Sequence, residues 1–328
     1  MRELVKWPEV VSVARRWKSD PSCSYEYIYE NGAFNRLVVT DLAESWDEFL
    51  EWSNRCQSWG FRGQRESSWT LQSSLERGIR VEGSYGNMSG HHHLDRKMVG
   101  EELLSGFRKL APLHLQDLPS NDDLTGWLAL MQHYGGPTRL LDWTECPFVG
   151  MYFALSEEPK AGNYPAVWAI DLDWLKRKEQ EMLGPSVPTH DPRARISYLN
   201  SLLGQSEKPL IVRIDPQLRN DRMFVQKGFF LWKLYRDIPL FDSMLIDMML
   251  NPEIVQSPVI RKLEVSLELR SSFLERLFRE KDIRKASLFP GHDFCEPLKL
   301  ELLEMVERAK AAYEEELRSV QRDEVVRG

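Results

Sequence analysis

The sequence predicts an α+β fold, and three observations carry that prediction. Amphipathic stretches at helical spacing are interspersed with short β-rich runs, polar residues gather at the ends of those runs, and the C-terminal third repeats apolar residues at intervals of three and four. The chain divides into an N-terminal helix and hairpin extension over 1–45, a mixed core over 46–240 and a C-terminal helical region over 241–328 that packs on the core.

Taken in order, Val5, Val10, Val13, Ala14 and Trp17 space a first helix that Asp20 and Pro21 close. Two β-rich runs flank Asn31-Gly32, a common hairpin turn pair. From Asp41 the spacing of Leu42, Trp46, Phe49 and Leu50 predicts a helix, and 58–64 a Gly-bounded strand ending near Arg62. Residues 81–93 are rich in Gly, Ser and His and predict a loop; adjacent histidines 91–93 cannot converge on one ion, so no metal site is expected. Helices follow over 101–115 and 122–134, the second stopped by Gly135-Gly136-Pro137. The run TRLLDWT reads as a buried strand, PFVGMYFALS as an apolar helix with Pro147 in its first turn. AVWAID, PLIVRID and RMFVQKGFFLWKL read as β-type runs, with an irregular connection between the first two. Beyond Pro239 all signals are helical, ending in a long amphipathic helix with Leu302, Val306 and Ala309 on one face.

The formal net charge of −7 argues against a chain held to nucleic acid by bulk electrostatics. A local basic rim from Arg193, Arg195, Arg213, Arg219 and Arg222 would serve a nucleic-acid target, and ordinary surface charge explains the same residues equally well. Four scattered cysteines without a Cys-x-x-Cys pair, and a Met-Arg-Glu start, fit a reduced, cytoplasmic protein. No apolar run approaches the roughly 20 residues of a membrane span. The absence of a compact carboxylate cluster weakens a metal-dependent nuclease reading.

Candidate site residues gather around 130–155. Asp142 in Leu-Leu-Asp-Trp-Thr needs a partner, because a carboxylate in an apolar strand survives burial only when paired or hydrogen-bonded. Arg139 lies an odd number of residues away and points to the other face, which leaves Arg62 or a backbone turn, while Thr144 shares the Asp142 face. Arg62 can hold a diphosphate with its planar fork or stabilise the fold by pairing a carboxylate, and Gly63 would permit close approach of a ligand. His133, beside Tyr134, and Gln226 each have a polar-pocket reading and a core reading.

The pieces WGFRGQ, LMQHYGGPTRLLDWT with the trailing YFAL, MFVQKGFF and SLFPGHD resemble the FRG domain, over roughly 58–293. That pattern is in turn similar to the arginine-serine-glutamate group of ADP-ribosyltransferases, whose aromatic-Arg-Gly strand, Ser-Thr-Ser-type strand and glutamate-bearing strand come in the same order. The resemblance implies a split mixed sheet with flanking helices, and NAD as substrate with no metal. It places Arg62, Gly63, Gln64, Tyr134 and Thr144 around NAD, and Asp142, Gln226 and His133 at the chemistry. Gln226 stands where the glutamate is expected, and Leu-Asp-Trp-Thr replaces Ser-Thr-Ser, so Asp142 would supply the negative charge. The implied function is transfer of ADP-ribose to nucleic acid or protein by a prokaryotic toxin or phage-defence effector, restrained by an inhibitory antitoxin partner. The alternative is a non-catalytic module that binds a nucleotide or a partner through the same pocket.

Overall fold

The computed structural model describes residues 38–78, 91–184, 187–188, 191–202, 210–215, 221–234 and 259–290, with the helical residues 298–299, 301–306 and 308–309. The expected N-terminal helix and hairpin turn, the 81–90 loop, the helix over 241–250 and the end of the last helix lie outside the described residues.

The described residues begin with β1 (Val39–Ala43), where a helix was expected to begin; Leu42 is 51% exposed on this strand. Ser45 then caps α1 (Trp46–Arg55) by accepting a hydrogen bond from Glu48 N. β2 (Trp59–Gln64) follows, with α2 (Ser74–Gly78) and α3 (His91–Leu110) after it. Histidines 91–93 therefore begin a helix rather than close a loop. Asp123 caps α4 (Leu124–His133), and Gly135 at φ +91° provides the left-handed turn that ends it.

β3 (Leu141–Thr144), α5 (Pro147–Leu155) and β4 (Ala166–Asp171) come next. α6 (Leu172–Leu183) and α7 (Pro192–Leu202) fill the connection, part of which was expected to be irregular. After β5 (Ile211–Ile214), the run read as one long strand divides into α8 (Asp221–Val225) and β6 (Gly228–Lys233). Gln226 N donates to Arg222 O, closing a helical turn, and Lys227 at φ +48° reverses the chain before β6. β7 (Ile260–Val265), α9 (Arg270–Lys281) and α10 (Lys285–Leu288) complete the labelled elements.

The seven strands among the described residues form one mixed sheet in the order β1-β7-β4-β2-β3-β6-β5. β7, from a region read as wholly helical, sits between β1, its parallel partner, and β4, its antiparallel one. Its polar Arg261, Lys262 and Glu264 hide the strand pattern, yet Lys262 is only 9% exposed and donates to Ser67 O at 2.6 Å. β2 pairs with β4 from Trp59 to Gln64 but with β3 only through Phe61 opposite Thr144. The sheet thus opens between β2 and β3, and a cleft forms where backbone pairing stops.

Two apolar bodies flank the sheet. One packs Trp46, Phe49 and Trp52 of α1 and Phe273 of α9 over Phe61, with Trp46 edge-on to Phe273 at 5.1 Å. The other gathers Phe107, Trp127 and Met131 from α3 and α4 against Phe230 and Trp232 of β6. Leu298, Leu302 and Val306 are buried in this second body, so the described part of the last helix closes the core. No helix among the described residues is long and apolar enough to cross a membrane.

Candidate functional site

Arg62 projects from β2 at the point where the sheet opens. Its Nη1 donates to the Asp142 carbonyl oxygen at 2.7 Å and lies 3.9 Å from the Asp142 carboxylate. Only 16% of its side chain is exposed, and its Nε is buried without a hydrogen-bond partner. Burial pushes the guanidinium down to about 10, against the opposing pull of Asp142. A buried charge with an unused donor is an arrangement that an anion would complete.

Asp142 is held from the other side. Gln132 Nε2 donates to its Oδ1 at 2.8 Å, and Thr138 Oγ1 donates to Gln132 Oε1. Because Gln132 Oε1 accepts from Thr138, its amide nitrogen must face Asp142. Thr138 is itself fixed by Ser74 and Leu75: its N donates to Ser74 Oγ at 2.9 Å and its O accepts from Leu75 N at 3.0 Å. The Asp142 side chain is 66% exposed rather than buried as its apolar strand suggested, and Arg62 Nη1 lies 3.9 Å from its Oδ2.

The surrounding cleft has a volume of about 540 Å³, within the range of small-ligand sites. Four guanidinium groups line it, from Arg62, Arg65, Arg77 and Arg222, against the carboxylates of Asp142 and Glu157. Burial also pushes Arg77 and Arg222 down, and Asp142 opposes the shift in both. Arg222 is steadied over the Phe289 ring at 4.6 Å, and Arg77 Nη1 donates to Gln72 O at 2.5 Å. The cleft is thus locally basic on a chain whose net charge is −7.

Several expected residues hold different posts. Gly63, like Gln64 and Gln226, lines the cleft, and it also seats α5: a Cβ there would lie 2.1 Å from Gly150 O and 2.4 Å from Ala154 N. Gln64 is 5% exposed, and its amide is spent on Trp168 Nε1 at 2.8 Å and Thr70 O at 3.3 Å. Thr144 lines the cleft, but its hydroxyl donates to Gln226 O at 2.6 Å and accepts from Cys146 N at 3.0 Å. Gln226 lies in the turn after α8 rather than in a strand, and its Nε2 donates to Leu288 O at 2.9 Å. Tyr134 is buried in the α3–α4 core with His133 edge-on at 5.1 Å, and neither lines the cleft. Arg139 lies before β3, beside a separate small cavity.

Of the described residues of the expected basic rim, Arg222 lines the cleft and Arg193, Arg195 and Arg213 do not. Arg195 forms a bidentate pair with Glu179 at 2.9 and 2.6 Å. Arg213 does the same with Asp215, at 2.8 Å to each oxygen, and also reaches Glu145 at 2.7 Å. Arg193 is exposed on α7, and Arg219 lies outside the described residues. Arg65 and Arg77 were not singled out from the sequence, and Gln132 was read only as one of the polar residues of 130–155. Their only sequence signal is the arginine density after Phe61-Arg62-Gly63 and the polar character of 132–144. Among the described residues no group of three or more His, Cys, Asp or Glu is placed to hold a metal ion.

These features define an α+β protein with an arginine-lined cleft where β2 and β3 of its mixed sheet diverge. Residues 57–163 match the FRG domain. The match spans β2, α4, β3 and α5, and so includes Arg62, Gln132, Asp142 and Thr144; Arg222 and Gln226 lie beyond it. No curated protein and no solved structure matches the chain.

Proposed function

We propose that the cleft binds NAD and that the protein is an ADP-ribosyltransferase acting on a macromolecule. The observation that carries this reading is the pairing at the sheet opening: an arginine with a spare donor beside a carboxylate fixed on one oxygen by Gln132. Arg62, with Arg77 and Arg222 near it, supplies charge and planar donors for the diphosphate. Asp142 supplies the carboxylate that the chemistry needs.

In the proposed reaction the bond from ribose C1′ to the nicotinamide nitrogen breaks, and the electron pair leaves with nicotinamide. Positive charge grows at C1′ and the ring oxygen, where the Asp142 carboxylate stabilises it more strongly than in the ground state. An oxygen or nitrogen of the target forms the new bond to C1′, and its proton passes to Asp142 Oδ2 and on to solvent. A transferase of this kind, acting as a toxin or defence effector, would need an inhibitory protein partner in its own cell.

Gln226 favours a second reading, a non-catalytic module that binds a nucleotide. It carries no charge, and its amide is tied to Leu288 O. Incubation with NAD labelled in its adenylate part, with protein and RNA pools from a lysate, separates the two. Transfer of label that is lost in Arg62→Ala and Asp142→Ala supports the transferase; binding of NAD without transfer or nicotinamide release establishes the module.

A further inference from the structure

We propose that Trp69 is the platform on which the base of a nucleotide stacks while its phosphates lie on the cleft arginines. The inference rests on the cleft being a nucleotide site and names the part of the ligand that its charges do not read. Trp69 lines the cleft and is 41% exposed, although a large aromatic ring gains by being covered. Arg65 backs the indole, its guanidinium carbon 4.9 Å from the ring centroid. Arg65 is in turn anchored by Nη1 donating to Glu157 at 2.7 Å. One face of the ring is thereby supported, and the exposed surface remains for a second planar group.

The loop that carries the ring is tied down on several sides. Trp69 N donates to Glu66 O at 3.1 Å, and Ser67 N donates to Tyr164 O at 2.7 Å. Ser67 O accepts from Lys262 Nζ at 2.6 Å, which links the loop to β7. An exposed but fixed aromatic loses little freedom when a ring settles on it, so stacking contributes nearly its full value. A phosphate-only ligand would find the arginines and leave Trp69 unused. A nucleoside diphosphate would use both.

Calorimetric titration of the full chain with inorganic pyrophosphate and with ADP tests this. ADP is expected to bind tighter than pyrophosphate by roughly tenfold, the order of one base–aromatic stack. Trp69→Ala is expected to remove that advantage and leave pyrophosphate binding unchanged, while Trp69→Phe retains most of it. Equal affinity of the wild-type protein for the two ligands, or an equal loss for both in Trp69→Ala, overturns the stacking role while the anion site stands. Absence of pyrophosphate binding to the wild-type protein overturns the anion site and this inference with it.

Discussion

Arg62 donates to the main-chain oxygen of Asp142 at 2.7 Å and remains 3.9 Å from its carboxylate. The distinction decides what each residue is free to do. A bidentate pair would neutralise both groups and fill the cleft with its own salt bridge. Instead the carbonyl positions the guanidinium, and Gln132 positions the carboxylate. Both groups line the same cleft, and Arg62 Nε is buried there without a hydrogen-bond partner.

Gln226→Glu tests the post assigned to the missing glutamate. The new carboxylate would face the Leu288 carbonyl that the amide nitrogen now satisfies at 2.9 Å. A loss of about 1–3 kcal/mol in stability is expected, with no gain in transfer rate. Urea denaturation and a label-transfer assay measure the two effects. A rise in transfer would return Gln226 to the catalytic role.

Gly63→Ala is expected to be the most damaging single-methyl change in the site. Its Cβ would sit 2.1 Å from Gly150 O and 2.4 Å from Ala154 N, both backbone atoms of α5. Neither can rotate away, so α5 must lift from β2 at a cost of about 3 kcal/mol or more. The thermal midpoint reports this directly, and a shift within error of the wild-type value would show that α5 is free to move.

Lys233 of β6 and Glu76 of α2 form a buried pair at 2.6 Å, 7% and 10% exposed, next to Arg77 on the same short helix. Burial pushes the Glu76 carboxyl up, but Lys233 and the Ser73 bonds outweigh it and hold it below its ordinary value. A depressed carboxyl gives stability that is present above its unfolded value, near 4.5, and lost as pH falls through the folded one. Lys233→Met is expected to cost about 3–5 kcal/mol, because it strands a buried charge. The double variant with Glu76→Gln should recover most of that loss and lack the acid-dependent step in chemical denaturation.

Burial pushes the Cys56 thiol from 9.0 up to about 11. Here the sign is reversed with respect to pH: the contribution is whole below the unfolded value and disappears as pH rises towards the folded one. The expected loss between those values is about 2–3 kcal/mol, at ~1.4 kcal/mol per unit. Denaturation of the wild-type protein against Cys56→Ala over that range measures it. In mild alkylation followed by mass spectrometry, half-buried Cys146 should react before buried Cys56.

The site was legible where one residue violated its local surroundings. Asp142 inside an apolar strand was read as a buried carboxylate in need of a partner, with Arg62 as the candidate; its side chain is instead 66% exposed, its carboxylate bonds Gln132, and Arg62 meets its main-chain oxygen. Gln226 was misplaced because Phe-Val-Gln-Lys-Gly-Phe-Phe has strand composition, while a left-handed Lys227 breaks it locally. Gly63 lines the cleft and also admits α5, a second role its sequence signal did not show, since a required glycine does not say what comes close. Tyr134 sat beside polar neighbours in sequence but faces the core of α3 and α4.

By itself the sequence determined the α+β class, most of the helices through their apolar spacing and caps, and the strands of consistent β composition. Those are local properties, set by backbone preference and side-chain period. Only the tertiary structure decided that β7 joins the sheet, because its polar residues are satisfied by partners far along the chain. It alone decided that β2 and β3 meet at one residue pair and then part. From that opening come the cleft, the gathering of Arg65, Arg77 and Arg222 around Arg62, and the hold of Gln132 on Asp142. Charges this dispersed along the chain acquire a common field only when folding brings them within a few ångströms and removes the water between them.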